Sequence, residues 1–283
     1  MKDKSGQCIR ILAVGDVIGR PGRQFLRRTL PVLKARYDYD GLVVNVENAA
    51  GGFGMTLDVY REFEDMHVDC MTSGNHIFDK RGYEDWFPWA PRLLRPLNFP
   101  DQSPGKGYHI FQLPDGLKVG VLNTIGRTFM KPYNCPFRAA DAALAVLSQE
   151  TNIILVDFHG EATSEKMAMG WYLSKRVSVV WGTHTHVPTA DGRILDDFTG
   201  YQTDLGMTGP HDSIIGMTKE PVIQGFLTLE RSRFEVAKRD VRLGGCLFDI
   251  DRTSGRCTQL KSLFLDEGDL IKIEGAASQA YHN

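Results

Sequence analysis

The sequence predicts one α/β domain, and three observations predict it. Up to about residue 181, short apolar runs alternate with segments of helical periodicity. Beyond Gly200 the apolar runs follow one another, which adds consecutive strands to the alternating part. Polar side chains also gather directly after the apolar runs, where functional groups collect in open α/β sheets. No internal repeat or low-complexity linker divides the chain, so residues 1–283 are read as a single domain. The ends, 1–8 and 275–283, are polar and read as frayed.

Each element has its reason. IRILAVG (9–15) is a short apolar run closing on Gly15-Asp16, a buried strand. Pro21 opens a helix in which Phe25, Leu26, Leu30 and Leu33 recur at helical spacing. LVVNV (42–46) is a second strand. Thr56 to Met66 is a helix, with Leu57, Tyr60 and Phe63 on one side. VDCMT (68–72) is a third strand, and 80–90 reads as helical. Residues 108–124 read as two strands, a hairpin around Pro114-Asp115-Gly116. Arg138 to Leu147 is Ala-rich and helical. NIILVDF (152–158) is a buried strand. Thr163 to Ser174 is a helix with Thr163 or Ser164 as cap, and VSVVW (177–181) is the next strand. VIQGFLTLE, FEVAKRDVRL, CLFDIDR and CTQLKSLFL read as β-rich.

Composition narrows the function. With 283 residues, 42% of them hydrophobic, the chain can bury a large core. It balances 33 basic against 35 acidic residues, so no global positive field favours a nucleic-acid backbone. The local cluster Arg20, Arg23, Arg27 and Arg28 reads as a solvated helix face. Cysteines at 8, 70, 135, 246 and 257 are odd in number and form no CxxC pair, which suits a reducing cytoplasm. No signal-like or membrane-length apolar run is found, so the expectation is a cytoplasmic protein away from membranes.

The chemistry lies at the strand ends. Asp16 follows the first strand, Glu47-Asn48 the second, Asn75-His76 the third, His159 the strand NIILVDF, and His184 with His186 the strand VSVVW. Taken singly, each reads equally well as a functional group or as an ordinary turn residue, cap or half-buried histidine. Five coincidences in one chain favour a shared site. In GTHTHV (182–187) extended backbone would turn both imidazoles towards one point, as metal ligands or as an acid/base pair. Histidines with carboxylate and amide oxygens, and no cysteine, suit iron, manganese or zinc. The donors outnumber the needs of one four-coordinate ion, so a bridging carboxylate between two ions is expected.

Six blocks carry a resemblance: GDVIGRPGR (15–23), NVENAAGGFGMT (45–56), TSGNHIFD (72–79), DFHGEATSEKMA (157–168), GTHTHVPTAD (182–191) and TDLGMTGPHDSIIG (203–216). They resemble the bacterial YmdB-type branch of the calcineurin-like metallophosphoesterases. The resemblance implies a four-layer α/β/β/α sandwich, two mixed sheets packed face to face with helices outside. It implies a metal-dependent phosphodiesterase acting on 2′,3′-cyclic nucleotides, with two divalent or trivalent ions, iron or manganese before zinc. Asp16, Glu47 and His186 would hold one ion. Glu47 would bridge to a second held by Asn75, His159 and His184. Asn48 would be a nearby or outer ligand, and His76 the catalytic histidine. The wider superfamily has Asp-x-His where this chain has Ile18, and a bridging Asp where it has Glu47. The first ion therefore has one fewer histidine.

The mechanism so implied is in-line attack on phosphorus by a hydroxide shared between the ions. His76 would protonate the departing ribose oxygen. Asp79 would either orient that imidazole or cap a helix near Lys80. Thr208 and His211 would line the mouth, and Phe53, Phe129 and Tyr133 are the aromatic candidates for a base. The alternatives are a phosphomonoesterase, on nucleotides or phosphoproteins, and a metal-loaded regulatory protein that binds a nucleotide or an RNA-processing partner. A metal amidohydrolase fits less well, because its His-x-His pair comes early. Native metal, physiological substrate, an RNA partner and a homo-oligomer are not decided by the sequence.

Overall fold

Two six-stranded sheets form the centre of the molecule. The computed structural model describes residues 6–230 and 233–280. The first sheet is built from β1 (Cys8–Val14), β2 (Gly41–Asn45), β3 (Cys70–Thr72), β10 (Gly209–Pro210), β11 (Val241–Asp251) and β12 (Cys257–Leu265). Its order is β10-β11-β1-β2-β3, with β12 also paired to β11. β1, β2 and β3 are parallel, and β11 runs antiparallel to β1, β10 and β12. The second sheet has the order β4-β5-β6-β7-β9-β8, from β4 (Tyr108–Gln112), β5 (Lys118–Ile125), β6 (Ile154–His159), β7 (Val179–Thr183), β8 (Arg193–Leu195) and β9 (Thr199–Gln202). β5, β6, β7 and β9 are parallel, and β4 and β8 are antiparallel edges.

Side-chain alternation explains the layers. In β1, Ile9, Ile11 and Ala13 face the opposite sheet, whereas Leu12 and Val14 face outward to helices. In β11, Cys246, Phe248 and Ile250 face inward, and Leu243 and Leu247 outward. The inner faces meet in one apolar core, where Val121, Leu155, Val179 and Trp181 come from the second sheet. Trp181 stacks on Phe248 across the gap, with ring centroids 6.1 Å apart. Each such buried side chain contributes about 1.5–3 kcal/mol relative to exposure.

The outer layers are helical. α1 (Gly19–Tyr37) and α2 (Leu57–Asp65) cover the first sheet with Phe25, Leu26, Leu30, Leu33, Val59, Tyr60 and Phe63. α2 begins at Thr56, whose Oγ1 accepts from the Val59 amide at 3.4 Å. α3 (Pro136–Leu147) and α4 (Thr163–Leu173) cover the second sheet with Ala140, Ala143, Leu144, Leu147, Met169 and Leu173. The expected four-layer α/β/β/α arrangement is the one observed. α5 (Lys219–Thr228) and α6 (Glu267–Ala280) complete the chain. Among the described residues no helix is long and apolar enough to cross a membrane.

Several expectations are corrected. Residues 80–90 hold two short 3-10 turns, Tyr83–Asp85 and Phe87–Trp89, rather than an α-helix. Gly82 at φ 78° and Pro88 break the helical hydrogen-bond ladder there. VIQGFLTLE is mostly α5, not a strand, and Pro221 sits in its first turn, where proline is tolerated. α4 has Ala162 at its N-cap with no side-chain cap, so neither Thr163 nor Ser164 caps it. Regular structure also reaches into both of the end segments. Cys8 already pairs with Asp251 in β1, and α6 continues to Ala280. Residues 1–5 and 281–283 lie outside the described residues.

Candidate metal centre and adjoining pocket

The two sheets deliver their polar strand ends to one place. Asp16 lies two residues beyond β1, Glu47 two beyond β2, His159 closes β6, and His184 follows β7 directly. Asp16, Glu47 and His159 are buried to within 1% of full exclusion, although all three are ionisable. Buried groups of this kind require partners or a cation.

The partners they have point inward to shared positions. His159 Nε2 is 3.2 Å from Glu47 Oε1, 3.1 Å from Asn75 Oδ1 and 3.1 Å from His184 Nδ1. One ring nitrogen serves at most one hydrogen bond, so three neighbours at this distance describe a ligand cage. Two groups of donors result: Glu47, His159 and His184, and Asp16, Glu47 and His186. Within each, the donor atoms lie within 4.8 Å of one another. Glu47 belongs to both. Asp16 Oδ1 is buried with no hydrogen-bond partner, an oxygen left for a cation. A Cβ at Gly74 would come within 2.2 Å of His159 Nε2 and 2.4 Å of Glu47 Oε2, so only glycine leaves this cradle open. The donor set fits metal ions.

Burial and charge set the proton affinities. Burial pushes the Asp16 carboxyl up to about 6, against the opposing pull of His186 and His159. Burial also pushes Glu47 upward, but His159, as charge and as hydrogen-bond donor, outweighs it and holds Glu47 low. Burial and the neighbouring His159 push His184 down to about 3, which leaves its nitrogen free to donate a lone pair.

The GTHTHV loop differs from its expected geometry. β7 ends at Thr183, and His184 and His186 have φ of 102° and 66°. The two imidazoles therefore do not share one extended face. His184 joins the Asn75 side of Glu47, and His186 joins the Asp16 side. Non-glycine residues at positive φ persist where the surroundings over-determine them. Here His184 N donates to Asp16 Oδ2 at 3.1 Å, and His186 Nδ1 donates to the Ile215 carbonyl at 2.8 Å. Ile215 is itself left-handed, at φ 45°.

His76 stands on the rim. Its amide donates to Glu47 Oε2 at 3.1 Å, and its Nδ1 lies 2.6 Å from Asp79 Oδ2. Because no helix starts at Lys80, the Asp79 side chain has the imidazole as its partner instead of a helix to cap. Phe53 meets the His76 ring edge-to-face at 5.2 Å. Together with Glu47, Asn48, His184 and His186, these two residues line a pocket of about 760 Å³. Asn48 is buried, donates to the Gly52 carbonyl at 3.1 Å and leaves its own Oδ1 unpartnered.

Other candidates lie elsewhere. Thr208 is buried, and its amide donates to the Asp16 carbonyl at 2.8 Å, so it braces the Asp16 turn through its backbone. His211 donates from Nδ1 to the Gly209 carbonyl and packs on Phe264, outside both donor groups. Tyr133 stacks on Phe99 at 4.8 Å, and Phe129 is exposed and does not line the pocket.

A family model described as YmdB-like protein matches residues 12–263. The chain belongs to the YmdB-like family. It is 43% identical over 263 residues to the 2′,3′-cyclic-nucleotide 2′-phosphodiesterase of Bacillus subtilis (strain 168), spanning 93% of this chain and 99% of that one. A solved structure of a hypothetical protein from Thermus thermophilus superposes with a TM-score of 0.85 at 37% identity, covering 92% of this chain and 100% of that one. A solved structure described as a novel phosphatase, from Mycoplasma pneumoniae, gives 0.86 at 31% identity, covering 96% and 98%.

This YmdB-like chain also holds supporting residues that sequence reading missed. Thr183 Oγ1 lies 3.0 Å from His159 Nδ1 and donates to Asp157 Oδ1 at 2.7 Å. Its hydroxyl proton is committed to Asp157, so it accepts from Nδ1–H, and a cation beside Glu47 would take the place of the Nε2 proton that otherwise faces the carboxylate. Asn45 and Thr72 donate to the other oxygen of Asp157. Buried Lys166 donates to Asp204 Oδ2 at 2.5 Å, and the same oxygen accepts from the Thr185 amide and hydroxyl between the two loop histidines. Lys166 was legible, since it shares the buried stripe of α4 with Met169, Gly170 and Leu173. Glu161 Oε2 lies 3.1 Å from His184 Nε2, the nitrogen turned away from the cage.

Proposed function

We infer that this chain is a metal-dependent phosphodiesterase that hydrolyses 2′,3′-cyclic nucleotides. The observation that carries the reading is Glu47, which belongs to two donor groups at the floor of a pocket that also contains His76. The Bacillus relative, similar over nearly its whole length, supports the substrate class.

In this reading Asp16, Glu47 and His186 hold one cation, and Glu47, Asn75, His159 and His184 hold the other, with Asn48 alongside. Three imidazoles, two carboxylates and an amide oxygen, without thiolate, suit iron, manganese or zinc. When bound, such ions neutralise developing phosphoryl charge and lower the pKa of coordinated water. The chain's own residues do the rest. Glu47 accepts the His76 amide and so fixes that residue beside the phosphate position. Asp79 accepts a hydrogen bond from Nδ1–H of His76, which aligns the ring so that Nε2–H gives its proton to the departing ribose 2′-oxygen. The product is a 3′-monophosphate. A protein that only bound nucleotide would gain nothing from this His76–Asp79 pair.

The test is a substrate panel on protein purified without added metal and then analysed for its ions. 2′,3′-cyclic nucleotides should turn over well above 3′,5′-cyclic nucleotides and phosphomonoesters. Preferred turnover of a phosphomonoester would replace this reading with a phosphatase.

A further inference from the structure

Beyond the donor groups, the same pocket changes character. Phe53, Ile215, Met217, Phe226 and Phe234 line its other walls, and among the described residues Glu230 is the charged one there. No lysine or arginine lines it among the described residues. α5 supplies much of this wall yet buries only Val222 of its own residues, and Phe226 is 80% exposed. Core packing therefore does not account for the apolar side of α5. The wall is also tied to the donor cluster. Ile215 lines the pocket with its side chain while its carbonyl accepts from His186.

We propose that this apolar half is a base subsite that takes one nucleobase by stacking, does not read its identity, and rejects a second phosphate. The proposal rests on the cyclic-nucleotide reading and specifies its substrate. An aromatic wall accepts any base, because every base has a π-face. Discrimination between bases needs buried donors and acceptors, and an apolar pocket separates ligands only weakly. A second phosphate brings further negative charge, which finds no cation among the described residues that line the pocket and meets Glu230. The size suits a mononucleotide rather than a polymer. The occupant is thus a nucleoside 2′,3′-cyclic monophosphate with a free 5′-hydroxyl.

The experiment is equilibrium binding to the metal-loaded full chain, with adenosine 3′-monophosphate, cytidine 3′-monophosphate, adenosine 3′,5′-bisphosphate and inorganic phosphate as probes. Adenosine 3′-monophosphate should bind at least about tenfold more tightly than phosphate, one base's worth of stacking. Cytidine 3′-monophosphate should fall within about tenfold of it, and the bisphosphate should bind more weakly. Phe226→Ala should lose about tenfold on the monophosphates and nothing on phosphate. Because Phe226 is exposed, folding does not depend on it. Equal wild-type affinity for nucleotide and phosphate would overturn the proposal, as would equal loss of both in the variant. So would a variant with unchanged affinities but an altered oligomeric state, which would give α5 to a second copy of the chain. Turnover of 2′,3′-cyclic AMP is measured alongside. Base-dependent binding without turnover sinks the hydrolase reading alone, and turnover without base-dependent binding sinks the subsite alone.

Discussion

The Nδ1 atom of His76 lies 2.6 Å from Asp79 Oδ2, three residues further on, in a turn that does not become a helix. That spacing fixes which nitrogen faces the pocket. His76→Ala should keep the metal content and lose about 10²–10⁴ in kcat, the usual value of a positioned proton donor. Asp79→Asn should lose less, with metal unchanged. Steady-state kinetics paired with elemental analysis check both. Unchanged turnover in His76→Ala removes it from the chemistry.

Thr183 is the residue through which Asp157 controls His159. Thr183→Val keeps the volume and removes the acceptor for Nδ1–H. Metal affinity should fall about 10–100-fold, the customary cost of losing a ligand's outer partner. The orphaned His159 Nδ1 and Asp157 Oδ1 should also cost about 1–3 kcal/mol of stability each. Competition with a metal-sensitive chelator and urea unfolding measure the two effects. A variant of wild-type metal affinity would show that the Thr183 contact is incidental.

Lys166 and Asp204 form a buried ion pair that holds Thr185 between the loop histidines. Asp204→Ala leaves the Lys166 ammonium buried without its partner. It should destabilise the fold by about 3–5 kcal/mol. Lys166→Met together with Asp204→Leu should recover part of that stability but not the metal affinity, because the Thr185 contacts are gone. Thermal unfolding and metal titration of the single and double variants distinguish a loop clamp from a core pair. Full recovery of metal binding in the double variant would mean that the pair serves stability alone.

Some of this arrangement is legible in the sequence, for physical reasons. Apolar runs such as ILVDFH announce buried strands, and parallel strands present their ends together, so Asp16, Glu47 and His159 can be read as one site. Asp157 is hidden by the same logic, since a carboxylate inside a buried run gives no sign of the threonine and asparagine that satisfy it. His184 and His186 do reach the two donor groups, but with a backbone geometry other than the extended one expected. Left-handed backbone at two non-glycine positions is imposed by Asp16, Ile215 and Asp204, all remote in sequence. α5 is misread as β because QGFLTLE has the apolar content of a strand, while the helix that forms has little core contact to set a helical stripe.

Metal retention should depend on pH through Asp16. Burial raises its carboxyl to about 6, so above that pH it is an anion ready to bind a cation. Below it, a proton occupies the oxygen and must be displaced. Affinity should therefore fall as pH drops through about 6, by about tenfold per unit for the proton on Asp16, with a further loss from His159, whose proton affinity burial lowers but Glu47 and Asp16 raise further. Metal content after dialysis between pH 8 and pH 5 reads this directly. Retention that does not change across that range would mean that Asp16 is not a ligand.

The central claim is that Glu47 is shared by two cations. The direct measurement is anomalous diffraction from crystals of manganese-loaded protein, compared with Glu47→Ala. The account predicts two peaks about 3.5–4 Å apart, one beside Asp16 and His186 and one beside Asn75, His159 and His184. It predicts loss of at least one of them in the variant. A single peak in the wild type, or two peaks that both survive without Glu47, would contradict it.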